Sequence, residues 1–266
     1  MEINRSNILD LVNRCNVKPD KDYGQNFLVE PLIAEKIVSS LDLVKDDYVL
    51  EIGPGLGSLT HYLFDKAKLD VCDIDSRMID FLKIFYKDEI NYILNDVRKI
   101  DVSKYDKIIG NLPYNITTEL VVFLLMNSNA KKMVLMCQSE AFNRFFDLSG
   151  ENYGPASILL HLLGESKKVL TVKPGSFYPA PKCNSLVFVF DYKPIVDKQT
   201  AIEVYKMSKT LFLNRRKTIF NNLKSYTNDI EKIHFVLNEL KIEENRRPES
   251  ISPQEYLRLY KRLKDI

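Results

Sequence analysis

The feature that most constrains this chain is a series of short, β-rich apolar runs, each handed directly to a helical pattern. Residues 48–52, 69–74, 92–94, 108–110 and 133–137 are such runs, and between them Leu59, Leu63 and Phe64, then Met78, Ile79, Leu82 and Phe85, then residues 120–126 repeat apolar side chains at helical spacing. Alternation of this length predicts an α/β fold built on a doubly wound, mostly parallel sheet. Outlying elements are a short helix carrying Ile8, Leu9 and Val12, a helix from Pro31 to about Leu41, a helix over 156–163, and strands over 168–172 and 186–190. Beyond Asp191-Tyr192-Lys193-Pro194 the pattern becomes wholly helical, over about 200–213, 218–223, 229–240 and 252–263. The last of these opens with Ser252-Pro253-Gln254-Glu255, an N-cap with proline at the first helical position and glutamate at the third. The expected division is therefore an α/β domain over 1–193 and a small all-α domain over 194–266.

The turn after the first strand is Gly53-Pro54-Gly55-Leu56-Gly57-Ser58. Between a strand and a helix, missing side chains let the main chain approach a ligand closely. The spacing is G-x-G-x-G rather than the dinucleotide G-x-G-x-x-G, and alone it describes a tight turn equally well. Its neighbours add weight. Glu51 precedes the loop, Asp73 closes the next strand, where a carboxylate can accept both hydroxyls of a ribose, and Asp96 follows the third strand, where it can accept from an adenine amine. Each acid by itself fits a helix cap. Three in succession beside a glycine loop favour a nucleoside pocket at the carboxyl ends of the strands.

The fourth strand runs into Asn111-Leu112-Pro113-Tyr114. Pro113 has no N–H and ends the strand there. An amide, a bare carbonyl and an aromatic ring, with no acid, thiol or hydroxyl nucleophile, suit the gripping of a flat ring with a polar edge. A base with an exocyclic amine fits, and this clamp opens on the same crevice as the glycine loop.

No apolar run approaches the roughly 20 residues needed to span a bilayer, and the first residues lack the apolar centre of a signal peptide. Cys15, Cys72, Cys137 and Cys183 are widely separated with no C-x-x-C pair, which predicts reduced thiols, a cytoplasmic protein and no metal site. Residues 200–266 hold 14 Lys/Arg against 9 Asp/Glu, while the first 199 hold 24 against 27. A basic tail on a mildly acidic body suits a polyanionic partner and equally a solvated surface.

The run Glu51-Ile52-Gly53-Pro54-Gly55-Leu56-Gly57, followed by Asn111-Leu112-Pro113-Tyr114-Asn115-Ile116, resembles the S-adenosylmethionine-dependent ribosomal RNA adenine dimethyltransferases. Gly24-Gln25-Asn26-Phe27-Leu28 is similar to that family's N-terminal motif, and Gln138-Ser139-Glu140-Ala141, Tyr153-Gly154 and Phe177-Tyr178-Pro179-Ala180-Pro181-Lys182 to later ones. Leu211-Phe212-Leu213-Asn214-Arg215-Arg216-Lys217-Thr218 and Arg247-Pro248-Glu249-Ser250-Ile251-Ser252 resemble the C-terminal domain of the small-subunit (KsgA-type) branch.

The resemblance covers nearly the whole chain from about residue 18. It implies a Rossmann-like class I methyltransferase domain followed by a helical RNA-contacting domain. It also implies that Gln25, Asn26, Leu28, Glu51, Gly53, Gly55, Gly57, Asp73, Ile74, Asp96, Val97 and Asn111 line an S-adenosylmethionine site. Asn111, Leu112, Pro113 and Tyr114 would hold the target adenine, with Phe177 on its other face, and Arg215, Arg216 and Lys217 would meet RNA phosphates. The implied reaction adds two methyl groups to N6 of each of two adjacent adenosines near the 3′ end of small-subunit (16S) ribosomal RNA. The implied partner is the ribosomal RNA of the immature small subunit, met by a monomer.

Hydrogen bonds from the amine to the Asn111 side chain and the Pro113 carbonyl would favour a pyramidal nitrogen, with positioning worth roughly 7–11 kcal/mol. Three residues depart from the family pattern: Glu119 where proline is usual, Ser139 where a base is common, and His161 in place of a frequent glutamine. The rival readings are a macrolide-resistance enzyme acting on large-subunit RNA, which shares clamp and loop, and a non-catalytic factor that binds pre-ribosomal RNA. A cytosine-C5 enzyme needs a cysteine at the clamp, and none lies there. A nicotinamide oxidoreductase needs the other glycine spacing.

Overall fold

A computed structural model describes residues 2–14, 17, 19 and 25–265; Cys15 and Gly24 lie outside the described residues. Helix α1 (Ile8–Arg14), the two-residue strand β1 (Phe27–Leu28) and α2 (Pro31–Ser39) precede the main sheet. Pro31 stands at the start of α2, where its missing N–H costs nothing. Then β2 (Tyr48–Ile52), α3 (Thr60–Leu63), β3 (Lys68–Asp73), α4 (Ser76–Tyr86), β4 (Asn91–Leu94), β5 (Lys107–Asn111), α5 (Thr117–Asn127) and β6 (Lys132–Gln138) alternate as the apolar runs predict. Strands β2, β5 and β6 are buried along nearly their whole length, as strands covered by helices on both faces must be.

After α6 (Ser139–Phe146) and α7 (Pro155–Leu163) come β7 (Gly164–Val172), β8 (Phe177–Tyr178) and β9 (Ser185–Tyr192). The seven-stranded sheet has the order β4-β3-β2-β5-β6-β9-β7. Strands β2 to β6 pair in parallel, and β9 runs antiparallel against β6. The order reverses between β2 and β5, so a crevice opens beyond their carboxyl ends. In the register Ile52 lies opposite Gly110. A Cβ on Gly110 would stand 2.6 Å from the Ile52 carbonyl oxygen, so only glycine lets these two strands close at the crevice.

The loops between strands are locally determined. Asp75 caps α4 by accepting the Arg77 N–H at 3.0 Å, and Met78, Ile79, Phe81 and Leu82 turn inward from that helix. Helix α5 starts three residues before the apolar spacing implies. The Pro113 carbonyl accepts both the Ile116 N–H (3.3 Å) and the Thr117 hydroxyl (2.9 Å), which winds the first turn onto the clamp itself. Two elements have no counterpart in the sequence reading: α6, and the small antiparallel ribbon in which Leu28 pairs with Phe177 and Phe27 with Tyr178.

The chain divides into two compact units that are not contiguous in sequence. One holds residues 1–141 and 166–192, the other residues 142–165 and 193–266. One boundary falls between Tyr192 and Lys193, and α7, expected in the α/β domain, packs with the C-terminal helices. These are α8 (Lys198–Leu211), α9 (Ile219–Leu223), α10 (Ile230–Glu239) and α11 (Pro253–Asp265). The start of α11 is the capping box read from its sequence: Ser252 N–H donates to Glu255 (2.7 Å), and Glu255 N–H donates to the Ser252 hydroxyl (3.2 Å). Within this second unit the fully buried Tyr153 and Tyr256 donate their hydroxyls to the Ile251 and Pro248 carbonyls.

Candidate active site

At the carboxyl ends of β2 and β5 lies a cleft of about 750 Å³, open mouth included. Its floor is the glycine turn. Gly55 takes φ +53°, and a Cβ there would sit 3.0 Å from the Phe27 ring, so the bare backbone lets β1 close over the loop. Ser58, buried, donates its hydroxyl to the Leu28 carbonyl at 2.6 Å and locks the same junction. Gly53 lines the cleft with its N–H tied to the Cys72 carbonyl (3.0 Å), whereas Gly57 lies off the cleft, where an added Cβ would meet Leu82 of α4 at 2.7 Å.

Two carboxyls on the cleft wall are raised well above their ordinary values. Glu51 is 1 % exposed, and burial pushes it up to about 8 even though the Thr60 hydroxyl donates to it at 2.7 Å. Burial likewise raises Asp73 to about 6, opposed by donation from the main chain of Asp75 (2.9 Å), Gly55 and Ile74. Ile74 stays 52 % exposed beside it, an apolar face on the cleft. Gln25 lines the mouth and donates to Asp75 at 2.8 Å. Burial opposes ionisation of Asp75, yet the donors from Arg77 and Gln25 prevail and hold its carboxyl below the usual range.

The clamp borders the same cleft. Asn111, Leu112 and Pro113 all line it, with Asn26 and Leu28 opposite in sequence but adjacent in space. Asn111 donates its Nδ2 to the Asn26 carbonyl at 3.1 Å, while its Oδ1 is buried and has no hydrogen-bond partner among the described residues. A buried acceptor left bare costs about 1–3 kcal/mol, which marks it as a group awaiting a donor. Leu112 is fixed by its N–H to the Met136 carbonyl (3.0 Å). Tyr114 stands outside the cleft wall, half-buried, its hydroxyl sharing a 2.8 Å hydrogen bond with Ser185 of β9.

Several expected site residues are placed differently. Phe177 is 4 % exposed and packed into the apolar core with Leu28, so its ring orders the N-terminal motif instead of offering an open face. Val97 is buried, and the Asp96 carboxylate is held by Arg98, whose Nε and Nη2 reach it at 3.0 and 2.6 Å. Neither lines the cleft. The Pro113 carbonyl, expected to receive the target's N–H, already accepts two donors at the start of α5. Arg215, in the second unit, donates to the carbonyls of Glu151 and Gly150 at 2.8 Å each, a structural fork, whereas Arg216 and Lys217 are exposed.

Sequence reasoning passed over Phe27, Ser58 and Arg98. Ser58 follows the glycine loop, but nothing near it signals a partner thirty residues back.

A family model described as "Ribosomal RNA adenine dimethylase" matches residues 16–265. The "Ribosomal RNA small subunit methyltransferase A" of Malacoplasma penetrans is 38% identical over 243 residues, 89% of each chain. Its namesake in Clostridium botulinum (strain Langeland) is 32% identical over 273 residues, covering 98% of this chain and 99% of that one. The crystal structure of a dimethyladenosine transferase from Plasmodium falciparum aligns with a TM-score of 0.77 at 26% identity, over 90% of this chain and 98% of that one. A match that runs through loop, clamp and C-terminal helices alike settles the kinship: the chain belongs to the ribosomal RNA adenine dimethylase family.

Proposed function

We propose that this protein uses S-adenosylmethionine to dimethylate N6 of two adjacent adenosines near the 3′ end of small-subunit ribosomal RNA. The observation that carries this reading is the bare, buried Oδ1 of Asn111 on the wall of a cleft floored by the glycine turn and Asp73. The residues present suit the cofactor: a carboxyl at the end of β3 for ribose hydroxyls, a glycine floor a Cβ would obstruct, and exposed Ile74 as an apolar face for a base. Bound there, the cofactor supplies an electrophilic sulfonium methyl.

The chain's own part is grip and orientation. Asn111 Oδ1 accepts one N–H of the target amine, which satisfies both partners at once. Both lone pairs of the Pro113 carbonyl are spent on Ile116 and Thr117, so the second main-chain acceptor is the Leu112 carbonyl, one residue earlier. Held at two edges, the nitrogen is favoured in a pyramidal form with its lone pair directed at the cleft. Tyr114, steadied by Ser185, provides a stacking surface worth about 1–3 kcal/mol to an unstacked base. The alkylated nitrogen is acidic and loses its proton to water, so no side chain need act as a base.

Arg216 and Lys217, exposed between α8 and α9, meet RNA phosphates. The substrate is ribosomal RNA in the immature small subunit, and the protein acts as a monomer in the cytoplasm. No helix among the described residues is long and apolar enough to cross a membrane.

The test is mass spectrometry of nuclease-digested small- and large-subunit RNA after incubation of unmodified subunits with methyl-labelled S-adenosylmethionine. Paired N6,N6-dimethyladenosines confined to the small-subunit RNA are expected. Label confined to large-subunit RNA, or none in either, overturns the assignment.

A further inference from the structure

The motif Gln138-Ser139-Glu140-Ala141 has no task in the proposed reaction, although it begins at the end of β6, beside the clamp. We infer that the side-chain amide of Gln138 donates to the ring nitrogen that flanks the target amine, which fixes the rotation of the base in its own plane. The inference rests on the reading of Asn111-Leu112-Pro113-Tyr114 as an adenine clamp.

The position of Gln138 follows from register. In the parallel pair of β5 and β6, Asn111 lies opposite Met136, and both line the cleft. Residues two apart on a strand share a face, so Gln138 is the next residue after Met136 on that face, about 7 Å further along β6. In the antiparallel pair of β6 and β9, Gln138 lies directly opposite Ser185, whose hydroxyl shares the 2.8 Å hydrogen bond with Tyr114. Opposed residues carry their side chains on one face, with Cβ atoms about 4.5–5.5 Å apart. Gln138 thus joins the cleft wall at Met136 to the hydroxyl pair that holds the stacking ring. Its main chain is pinned on both sides. The ladder to β9 runs up to it, and Ser139 after it donates both its N–H (3.2 Å) and its hydroxyl (2.9 Å) to the Asn184 carbonyl. The Gln138 side chain itself is half-buried and has no hydrogen-bond partner among the described residues.

The need for a donor follows from what the clamp has already spent. Adenine presents an amine that donates, with an accepting ring nitrogen on either side of it, N1 and N7. Asn111 Oδ1 and the Leu112 carbonyl, which take the amine, are both acceptors. Among the clamp's donors, Asn111 Nδ2 is engaged by the Asn26 carbonyl at 3.1 Å and the Leu112 N–H by the Met136 carbonyl at 3.0 Å. The Tyr114 hydroxyl is engaged with Ser185, and Pro113 has no N–H. A base extruded into this crevice exchanges the water on its ring nitrogen for an unpaired acceptor, unless a further side chain supplies an N–H. The Gln138 amide is uncommitted and lies on the right face, and an amide is the side-chain group that pairs with adenine.

The experiment measures kcat/KM for methyl transfer to small subunits reconstituted with RNA carrying adenosine, 1-deazaadenosine or 7-deazaadenosine at a target position, read at that nucleotide by mass spectrometry. Wild type, Gln138→Ala and Gln138→Glu are compared, with S-adenosylmethionine binding by calorimetry as the check on folding. On adenosine, Gln138→Ala is expected to lose about tenfold to a hundredfold, the scale of one buried acceptor left unpaired, with cofactor affinity unchanged. Gln138→Glu sets an acceptor against an acceptor and loses at least as much. The ratio of variant to wild type cancels the intrinsic reactivity of each RNA. It returns to about one on the RNA that lacks the contacted nitrogen and stays low on the other, which tells N1 from N7.

Wild-type kcat/KM for Gln138→Ala on adenosine overturns the inference. So does an equal deficit on all three RNAs, because Gln138 then acts through the fold or elsewhere on the RNA. Absence of transfer by the wild type to adenosine in the small subunit overturns the functional reading itself. Gln138→Glu preserves the size of the side chain and remains informative if Gln138→Ala loses cofactor binding.

Discussion

Asn111→Ala separates catalysis from folding and from RNA binding, and the structure supplies the magnitudes. In the free protein the substitution deletes one hydrogen bond, Nδ2 to the Asn26 carbonyl at 3.1 Å, worth about 1 kcal/mol. It also deletes Oδ1, a buried acceptor with no partner, whose desolvation costs the native state about 1–3 kcal/mol. The two effects oppose each other, so the net change runs from about zero to a gain of about 2 kcal/mol, a rise in thermal midpoint of at most roughly 4–8 °C for a chain of this size. RNA affinity, dominated by phosphate contacts on other residues, changes little. Methyl transfer loses the acceptor that orients the amine, and loss of one preorganised hydrogen-bonding group in an active site typically costs about 10²–10³ in rate. Single-turnover transfer, filter binding of RNA and thermal unfolding on the same preparation read all three quantities. A parallel fall in transfer and RNA binding would refute the division of labour. So would a midpoint drop beyond about 8 °C, because Asn111 would then be a structural amide whose Oδ1 is satisfied in the native protein.

Arg215→Ala should destabilise the protein, because its guanidinium holds the Glu151 and Gly150 carbonyls, and should leave the salt dependence of RNA binding unchanged. Arg216→Ala and Lys217→Ala should each lower the slope of log affinity against log salt by about one, read by filter binding across a salt series. Gly110→Ala forces a Cβ to within 2.6 Å of the Ile52 carbonyl and should cost about 1–3 kcal/mol or more, with weaker cofactor binding as β2 and β5 part at the cleft; unfolding in urea measures the first and calorimetry the second.

Glu51 predicts a pH dependence of fixed sign. Its folded-state value of about 8 exceeds the ordinary 4.5, so below about pH 4.5 the carboxyl is protonated in both states. Between there and pH 8 only the unfolded chain gives up the proton, and stability falls as pH rises. Glu51→Gln removes that fall while its amide can still accept from Thr60, so urea unfolding at pH 5, 6.5 and 8 should show the variant gaining steadily on the wild type; parallel curves would show that Glu51 is ionised in the folded protein.

What the sequence reveals and what it hides follow from how far apart the interacting residues lie. The strands, the glycine turn, the break at Pro113 and the capping box at Ser252 and Glu255 are local: periodicity, a missing Cβ, a missing N–H and an i,i+3 pair act within a few residues. The crevice also follows, since alternating strands and helices wind a parallel sheet whose carboxyl ends gather Glu51, Asp73 and Asn111. Hidden are the pairings across the chain. Leu28 meets Phe177 at a separation of 149 positions in a ribbon two residues long, too short to leave a pattern, and that ribbon is what turns an expected stacking ring into core. For charged residues the same gap in information has a sharper effect. Arg215, Arg216 and Lys217 read as one basic cluster, but the fold brings two main-chain carbonyls to the first and leaves the others in solvent. Asp96 reads as a free acceptor, but an arginine two residues on encloses it, and a glutamate 21 positions beyond that arginine secures it. A polar side chain serves a ligand only with the hydrogen-bonding capacity that folding has not already claimed. On that criterion Asn111 Oδ1, bare and buried on the cleft, is a stronger functional assignment than any charged residue in the chain.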